Sequence, residues 1–294
     1  MTKLKHGTDP EVFSVIKIND DFQVISPALL EKFSGLKYIK QDGEEKHPVY
    51  IETNDYSWMM DGAAWELTVK KPQYNPMDLL NIIRTSMGHL EEFLSKFKFC
   101  GADLYLYTKP TVNIDPSLYI PYLAENKIAQ GFMFGCDKDY DADDESYECK
   151  TLDVAKFLFR FGGGHLHTSG SEYFEQFPKP AIKFFTCTVG NFCIKNSPYL
   201  ELEKQRGEIY GRPCRYRPQH YPNGDIGVEY RTPSNSWISM DTSKVEELFY
   251  WVNRAVEFLE NRRVDILDNY FEMSKEAIIT ANKDLADDIL YQIK

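Results

Sequence analysis

Basic charge is in short supply: 34 lysines and arginines stand against 45 aspartates and glutamates, a formal net charge of −11 at pH 7. Nucleic-acid binding needs clustered cations to neutralise phosphates, so this balance argues against a broad nucleic-acid surface. Cysteine is also sparse. The six cysteines show no C-x-x-C pair and no regular spacing, and they read as reduced, mostly buried thiols. No apolar run approaches the roughly 18 residues that span a bilayer. The first residues, Met-Thr-Lys-Leu-Lys-His, lack the apolar core of a signal peptide. A cytoplasmic protein without a membrane partner is therefore expected. Neither an internal repeat nor a flexible linker is present, so residues 1–294 are expected to form a single domain.

Glycine and histidine are concentrated in one stretch, Arg160-Phe-Gly-Gly-Gly-His-Leu-His-Thr-Ser-Gly170. A period of two puts His165 and His167 on one face of an extended segment, with Leu166 opposite. The glycines allow a backbone or a ligand to come close. Carboxylates recur in other strand-like segments. Gly7-Thr-Asp-Pro-Glu-Val-Phe reads as a turn-like start followed by a strand, residues 7–18, with Asp9 and Glu11 alternating on one face. Two like charges that close repel, and either a bound cation or open solvent accounts for them. Glu66 lies in Trp65-Glu-Leu67, a carboxylate in an apolar strand that needs a cation or a donor; Asp61 at the preceding turn is a weaker candidate. Asp225-Ile-Gly-Val-Glu-Tyr-Arg-Thr-Pro233 reads as a strand with Glu229 and Arg231 on one face, either a plain ion pair or a metal ligand beside a phosphate ligand.

Arginine clusters locally despite the acidic balance. Residues 203–218 read as a loop in which Arg206, Arg212, Arg215 and Arg217 alternate with aromatics, chemistry suited to planar anions. The acidic run 135–148 places Asp137, Asp139, Asp141 and Glu148 at positions 1, 3, 5 and 12 of a calcium-loop pattern, but position 6 is Ala142 rather than glycine. A solvated loop or an amine-attracting rim fits it better.

The remaining chain predicts amphipathic helices over 77–99 and 243–263, a buried helix rich in Phe and Cys over 180–194, and one or two more helices in the tail, over 264–276 and 283–293. A short helix is expected over 151–160. Residues 20–60 read as short strands and loops with a hairpin tip at 41–47, and 102–127 as short strands and turns. His89 reads as structural.

Taken in chain order, Asp9/Glu11, Glu66, His165/His167, the arginines and Glu229/Arg231 form an oxygen-rich ligand set with a little nitrogen. That composition favours Mg2+ or Mn2+ over zinc. With several guanidiniums it has the parts required for phosphoryl transfer.

Six motifs then carry a resemblance: Gly7-Thr-Asp-Pro-Glu-Val-Phe, Asp61-Gly-x-x-Trp-Glu-Leu, Gly135-Cys-Asp-Lys-Asp, Gly163-Gly-His-Leu-His, Tyr210-Gly-Arg and Val228-Glu-Tyr-Arg-Thr-Pro-Ser. In that order they resemble the glutamine synthetase-like carboxylate–amine ligases, and among them the compact amidoligases encoded by bacteriophages and some bacteria. The resemblance implies an α+β fold, a curved and mostly antiparallel sheet with helices on its outer face. It implies ATP and Mg2+ (or Mn2+) as cofactors, and as partners a small-molecule or peptide carboxylate and an amine acceptor. Carried over by position, Asp9, Glu11, Glu66, His165 and Glu229 are the implied metal ligands. Arg231, Arg212 and Arg215 would act on the transferring phosphoryl group, and His167, Arg212, Arg217, Gly163 and Gly164 would contact the nucleotide.

Two departures accompany the resemblance. The separate N-terminal β-domain of glutamine synthetase is missing, which leaves ring assembly and oligomeric state open. The second acidic strand has one clear glutamate where the synthetase uses two, so the number of metals is open. A zinc-dependent hydrolase built on His165 and His167, and a non-catalytic nucleotide- or metal-binding module, are the competing expectations.

Overall fold

Pro10 has no N–H to offer a neighbouring strand, and the chain changes sheets there: Lys5–Thr8 closes one strand and Glu11–Ile18 opens another. The computed structural model describes residues 3–42, 47–134, 139–147, 156–221 and 224–294. Two main sheets replace the single sheet expected, and the strand expected over 7–18 is split at Asp9–Pro10. The architecture is mixed α+β, with sheets rich in antiparallel pairs and ten α-helices among the described residues.

The five-stranded sheet runs, edge to edge, through Lys5–Thr8, Leu166–Ser169, Ile226–Tyr230, Arg215–His220 and Tyr140–Asp141. Its register lines up Gly7, His167, Glu229 and Arg217 across four strands. Directly opposed residues share a face, so this row puts an imidazole, a carboxylate and a guanidinium side by side.

The nine-stranded sheet holds Glu11–Ile18 near its middle, between Asp21–Val24 and Ala64–Val69. There Glu11 pairs with Glu66, which fixes both acids on one face. Thr111–Asn113 pairs in parallel with Asp21–Val24 and antiparallel with Phe159–Phe161. That last strand leads into the glycine run.

Apolar faces explain where the helices sit. Pro76–Leu94 starts at Asn75, whose side chain accepts from the Met77 N–H, with Pro76 at the first helical position. Its Leu79, Leu80, Ile83, Leu90 and Leu94 are buried, and it packs on the nine-stranded sheet and on helix Thr242–Glu260. Behind the five-stranded sheet a single buried helical rod runs from Pro178 to Asn196, with a π-helical turn at Thr186–Gly190. Thr242–Glu260, Val264–Ile279 and Lys283–Ile293 pack around that rod. Trp58, Trp65 and Trp237 are fully buried. Each indole N–H has a partner: Ser86 O at 3.1 Å, Ser14 Oγ at 2.8 Å and Gly164 O at 2.8 Å.

The expected C-terminal helices are present, and the helix expected over 180–194 lies within the rod. The helix expected to reach residue 99 stops at Leu94. Helix Pro27–Ser34 lies where short strands and loops were expected, and helix Asn126–Phe132 begins at the end of the expected strands and turns and runs on where no element was assigned; both are too short to show clear periodicity. The helix expected over 151–160 is corrected at its end, because Phe159–Phe161 is a strand; residues 151–155 lie outside the described part. Lys40–Asp42 and His47–Glu52 pair as the two sides of the expected hairpin, whose tip, 43–46, is also outside it. His89 bonds the Tyr56 hydroxyl and is structural. No helix among the described residues is long and apolar enough to cross a membrane.

Gly88 sits exposed inside helix Pro76–Leu94, and a Cβ there would meet nothing within 4 Å. Gly88→Ala is therefore expected to stabilise the protein by about 0.5–1 kcal/mol through helix propensity. The check is the urea midpoint at unchanged m-value.

Candidate metal and arginine site

The sheet switch at Asp9–Pro10 distributes the acids between two neighbouring groups. Asp9, His167 and Glu229 have ligand atoms within 4.8 Å of one another, and so do Glu11, Asp61 and Glu66. Asp9 and Glu11 therefore do not share a strand face, as the alternation suggested. They stand on either side of a joint. The backbone ties the groups together: Gly163 N donates to Glu11 Oε2 at 2.7 Å, and Glu11 N donates to Gly163 O at 2.9 Å.

Around the first group runs a buried chain of hydrogen bonds. His165 Nδ1 lies 3.0 Å from Asp9 Oδ1, and its Nε2 lies 2.9 Å from the Tyr210 hydroxyl. Arg231 bonds both that hydroxyl and Glu229. Tyr210 is held flat by Phe161, ring centroids 4.1 Å apart and nearly parallel. A neutral imidazole has one donor and one acceptor nitrogen, and both of those on His165 are engaged. His165, expected as a metal ligand, orients Asp9 here, and His167, expected as a nucleotide contact, joins the ligand group. His167 Nε2 lies 3.2 Å from Asp9 Oδ1 but is buried without an aligned hydrogen-bond partner.

The charges settle accordingly. Burial would push Asp9 up, yet His167 and then His165 hold it well below the usual carboxylate range. Glu229 is burdened by burial and by Asp9, and Arg231 and the imidazoles still bring it below its ordinary value. Burial and Arg231 lower His165; burial is also the largest single influence on His167, but Asp9 and Glu229 together overcome it and raise His167. In the second group the shift reverses. Burial first and Asp61 second push Glu11 up to about 8, and the same causes hold Glu66 well above its ordinary value. Three carboxylates in one place are short of positive charge.

Both groups fit a hard divalent cation. The second offers three oxygens, the first two oxygens and an imidazole nitrogen left without a partner. A cleft of about 220 Å³ opens against Glu11 and Asp61, walled by Phe13, Met133, Phe134 and Phe161.

The arginines divide. Arg231 is buried at the site, and Arg217 Nη1 lies 3.9 Å from Glu229 Oε1. Arg215 is drawn the other way, over the Tyr147 ring at 3.2 Å and toward Asp141 at 3.6 Å. Arg212 is exposed, its guanidinium on the Gly207 and Glu208 carbonyls at 3.3 and 3.2 Å. Both, expected on the transferring phosphoryl group, make these contacts away from the two ligand groups. The expected loop is also corrected: Arg206 ends a helix, Leu200–Gly207, and Arg215 and Arg217 lie on a strand.

Gly163 and Gly164, expected as nucleotide contacts, lie close against the protein: a Cβ on Gly164 would fall 2.1 Å from Ser234 O, and one on Gly163 would fall 2.3 Å from His165 Nε2. In the acidic run, Asp137 and Glu148 lie outside the described residues. Asp143 pairs with Lys183 and Lys275, and Glu145 with Lys179, so an amine-attracting rim is not what these acids form.

Tyr210 and Asn235 were missed as site residues. Asn235 Nδ2 donates to Glu11 O at 2.7 Å. Nothing local in the sequence signals that partnership; Tyr210 was visible only as part of a Tyr-Gly-Arg motif. Comparison with family models, with curated proteins and with solved structures finds no match.

A carboxyl with a folded-state pKa near 8 and an ordinary value of 4.5 binds its proton more tightly when folded. Its contribution is present below the unfolded value and is lost as pH rises through the folded one. In chelator-treated protein, wild-type stability is expected to fall relative to Glu11→Gln between pH 4.5 and 8, by at most about 1.4 kcal/mol per pH unit. Millimolar Mg2+ should remove the difference; calorimetric Tm against pH tests both. Gly164→Ala is expected to cost about 2–4 kcal/mol through overpacking on Ser234, read from urea unfolding.

Proposed function

We propose that the chain is an ATP-dependent carboxylate–amine ligase of the glutamine synthetase-like kind, working with Mg2+ or Mn2+ and forming an amide through an acyl phosphate. The observation that carries this reading is the pair of adjoining ligand groups, Asp9/His167/Glu229 and Glu11/Asp61/Glu66, with a buried guanidinium beside them. Divalent ions, when bound, neutralise phosphate oxygens and the charge that develops in phosphoryl transfer. Asp9, His167 and Glu229 would hold one ion, and Glu11, Asp61 and Glu66 another.

The chain's own groups have distinct tasks. Arg231, fixed by Glu229 and Tyr210, supplies a preorganised positive charge for the transferring phosphoryl group. Arg217 reinforces it from the next strand, in the row through Glu229. His165 keeps Asp9 in place, bonded on its far side by Tyr210. The aromatic cleft beside Glu11 and Asp61 excludes water from the reacting carboxylate, where an acyl phosphate would otherwise hydrolyse.

The hydrolase alternative needs His165 and His167 together on zinc. The bonds from His165 to Asp9 and Tyr210 weigh against it. ADP release with Mg2+, over a panel of amino acids and polyamines, is expected to depend on both a carboxylate and an amine. Glu11→Gln and Glu229→Gln should each lower it by about 10²-fold or more, and Arg231→Lys by about 10²–10³ in kcat. Full activity in Glu11→Gln and Glu229→Gln would refute the assignment. Stoichiometric zinc with ATP-independent hydrolysis would favour the hydrolase, and ligand binding without turnover the non-catalytic module.

A further inference from the structure

Gln219 lies on the strand Arg215–His220, two residues after Arg217, and so on the face of the five-stranded sheet that carries Glu229. Burial alternates along that strand in agreement: Arg217 and Gln219 are half-buried, Pro218 and His220 exposed. Directly opposite Gln219 is Gly227, and Glu229 is its diagonal neighbour. A Cβ on Gly227 would fall 2.5 Å from Thr168 O, so the strand beyond keeps that position free of a side chain. Diagonal neighbours on paired strands are within reach of long side chains. Gln219 leans across this gap, and its Nε2 donates to Glu229 Oε2 at 2.5 Å.

The two oxygens of the buried Glu229 carboxylate are therefore held in different ways. Oε1 is bonded by Arg231 from the same segment, with His165 Nδ1 at 3.6 Å and Arg217 Nη1 at 3.9 Å. Guanidiniums in that position compete with a metal ion for the oxygen's negative charge. Oε2 is held from the neighbouring strand by a neutral amide, which adds no repelling charge. An ionised carboxylate has about four acceptor sites on its two oxygens. One amide N–H thus fixes the direction of Oε2 and still leaves it a lone pair for an ion.

We propose that Gln219 is a positioning residue of the first ligand group: its amide N–H orients Glu229 and so sets the affinity of Asp9, His167 and Glu229 for a divalent cation. The inference rests on the proposed function, in which these three residues hold an ion. Hydrogen-bond partners of metal-ligating side chains typically account for about 10–100-fold in metal affinity.

The test titrates Mn2+ into the chelator-treated full chain, with free Mn2+ read by electron paramagnetic resonance. Glu66→Gln disables the second ligand group, so the first is read alone; Glu229→Gln does the reverse. Gln219→Met keeps the reach of the side chain and removes its N–H. It is expected to weaken Mn2+ binding about tenfold or more in the Glu66→Gln background. In the Glu229→Gln background it should leave binding unchanged, and the ion retained there shows that the chain is folded. Unchanged affinity in the Glu66→Gln background would overturn the role of Gln219. Equal losses in both backgrounds would overturn it too, since they mark a general disturbance of the fold. No Mn2+ binding by wild type, or by either single variant, would overturn the assignment of the two ligand groups and this inference with it.

Discussion

Carboxylates buried beside one another repel, and the interior around Asp9 is organised by how that repulsion is answered. At the five-stranded sheet the answer comes from the chain: Arg231 and two imidazoles bring Asp9 and Glu229 below their ordinary values. At the nine-stranded sheet Glu11 and Glu66 are pushed up instead, by burial and by Asp61 beside them. Removing a charge from water costs several kcal/mol unless an opposite charge replaces the lost hydration. A divalent cation, as proposed above, would supply that charge at the second group most directly. The asymmetry between neighbouring groups, one compensated by protein and one not, is the electrostatic core of the site.

Holding such a layer requires rigid backbone on every side. The segment after Arg231 supplies much of it. Thr232 and Pro233 give their carbonyls to the fully buried Arg206, Asn235 holds Glu11 O, and Trp237 holds Gly164 O. The glycine run then lies against Ser234 at a distance only glycine permits. Catalytic geometry of the proposed kind tolerates little movement. Here the ligand strands are fixed by backbone bonds and by fully buried indoles rather than by surface ion pairs, which contribute little.

Much of this was legible in residue order. The acids, His167, Glu229 and Arg231 were all named from strand alternation, and the structure brings them to one region. Face sharing held where the strand was regular, as for Glu229 and Arg231. It failed for Asp9 and Glu11, because the chain leaves one sheet at Thr8 and enters the other at Glu11, so that Asp9 lies in the joint between them. Arg212 and Arg215 read like Arg217 in sequence. Strand pairing separates them: Arg217 is in register with Glu229, Arg215 with Asp141, and Arg212 precedes the strand and turns outward.

Turn signals and two-residue or helical periods determined most of the long helices, several strands and the pool of chemically able residues, because those properties depend only on neighbours along the chain; the α+β class came from the resemblance. Which of them meet was decided by tertiary structure. Glu11 faces Glu66 across 55 positions by strand register, and Tyr210 reaches His165 across 45. Such pairings follow from how sheets and helices bury their apolar faces together. A local pattern shows that a strand has a polar face, but the strand beside it decides what that face will touch.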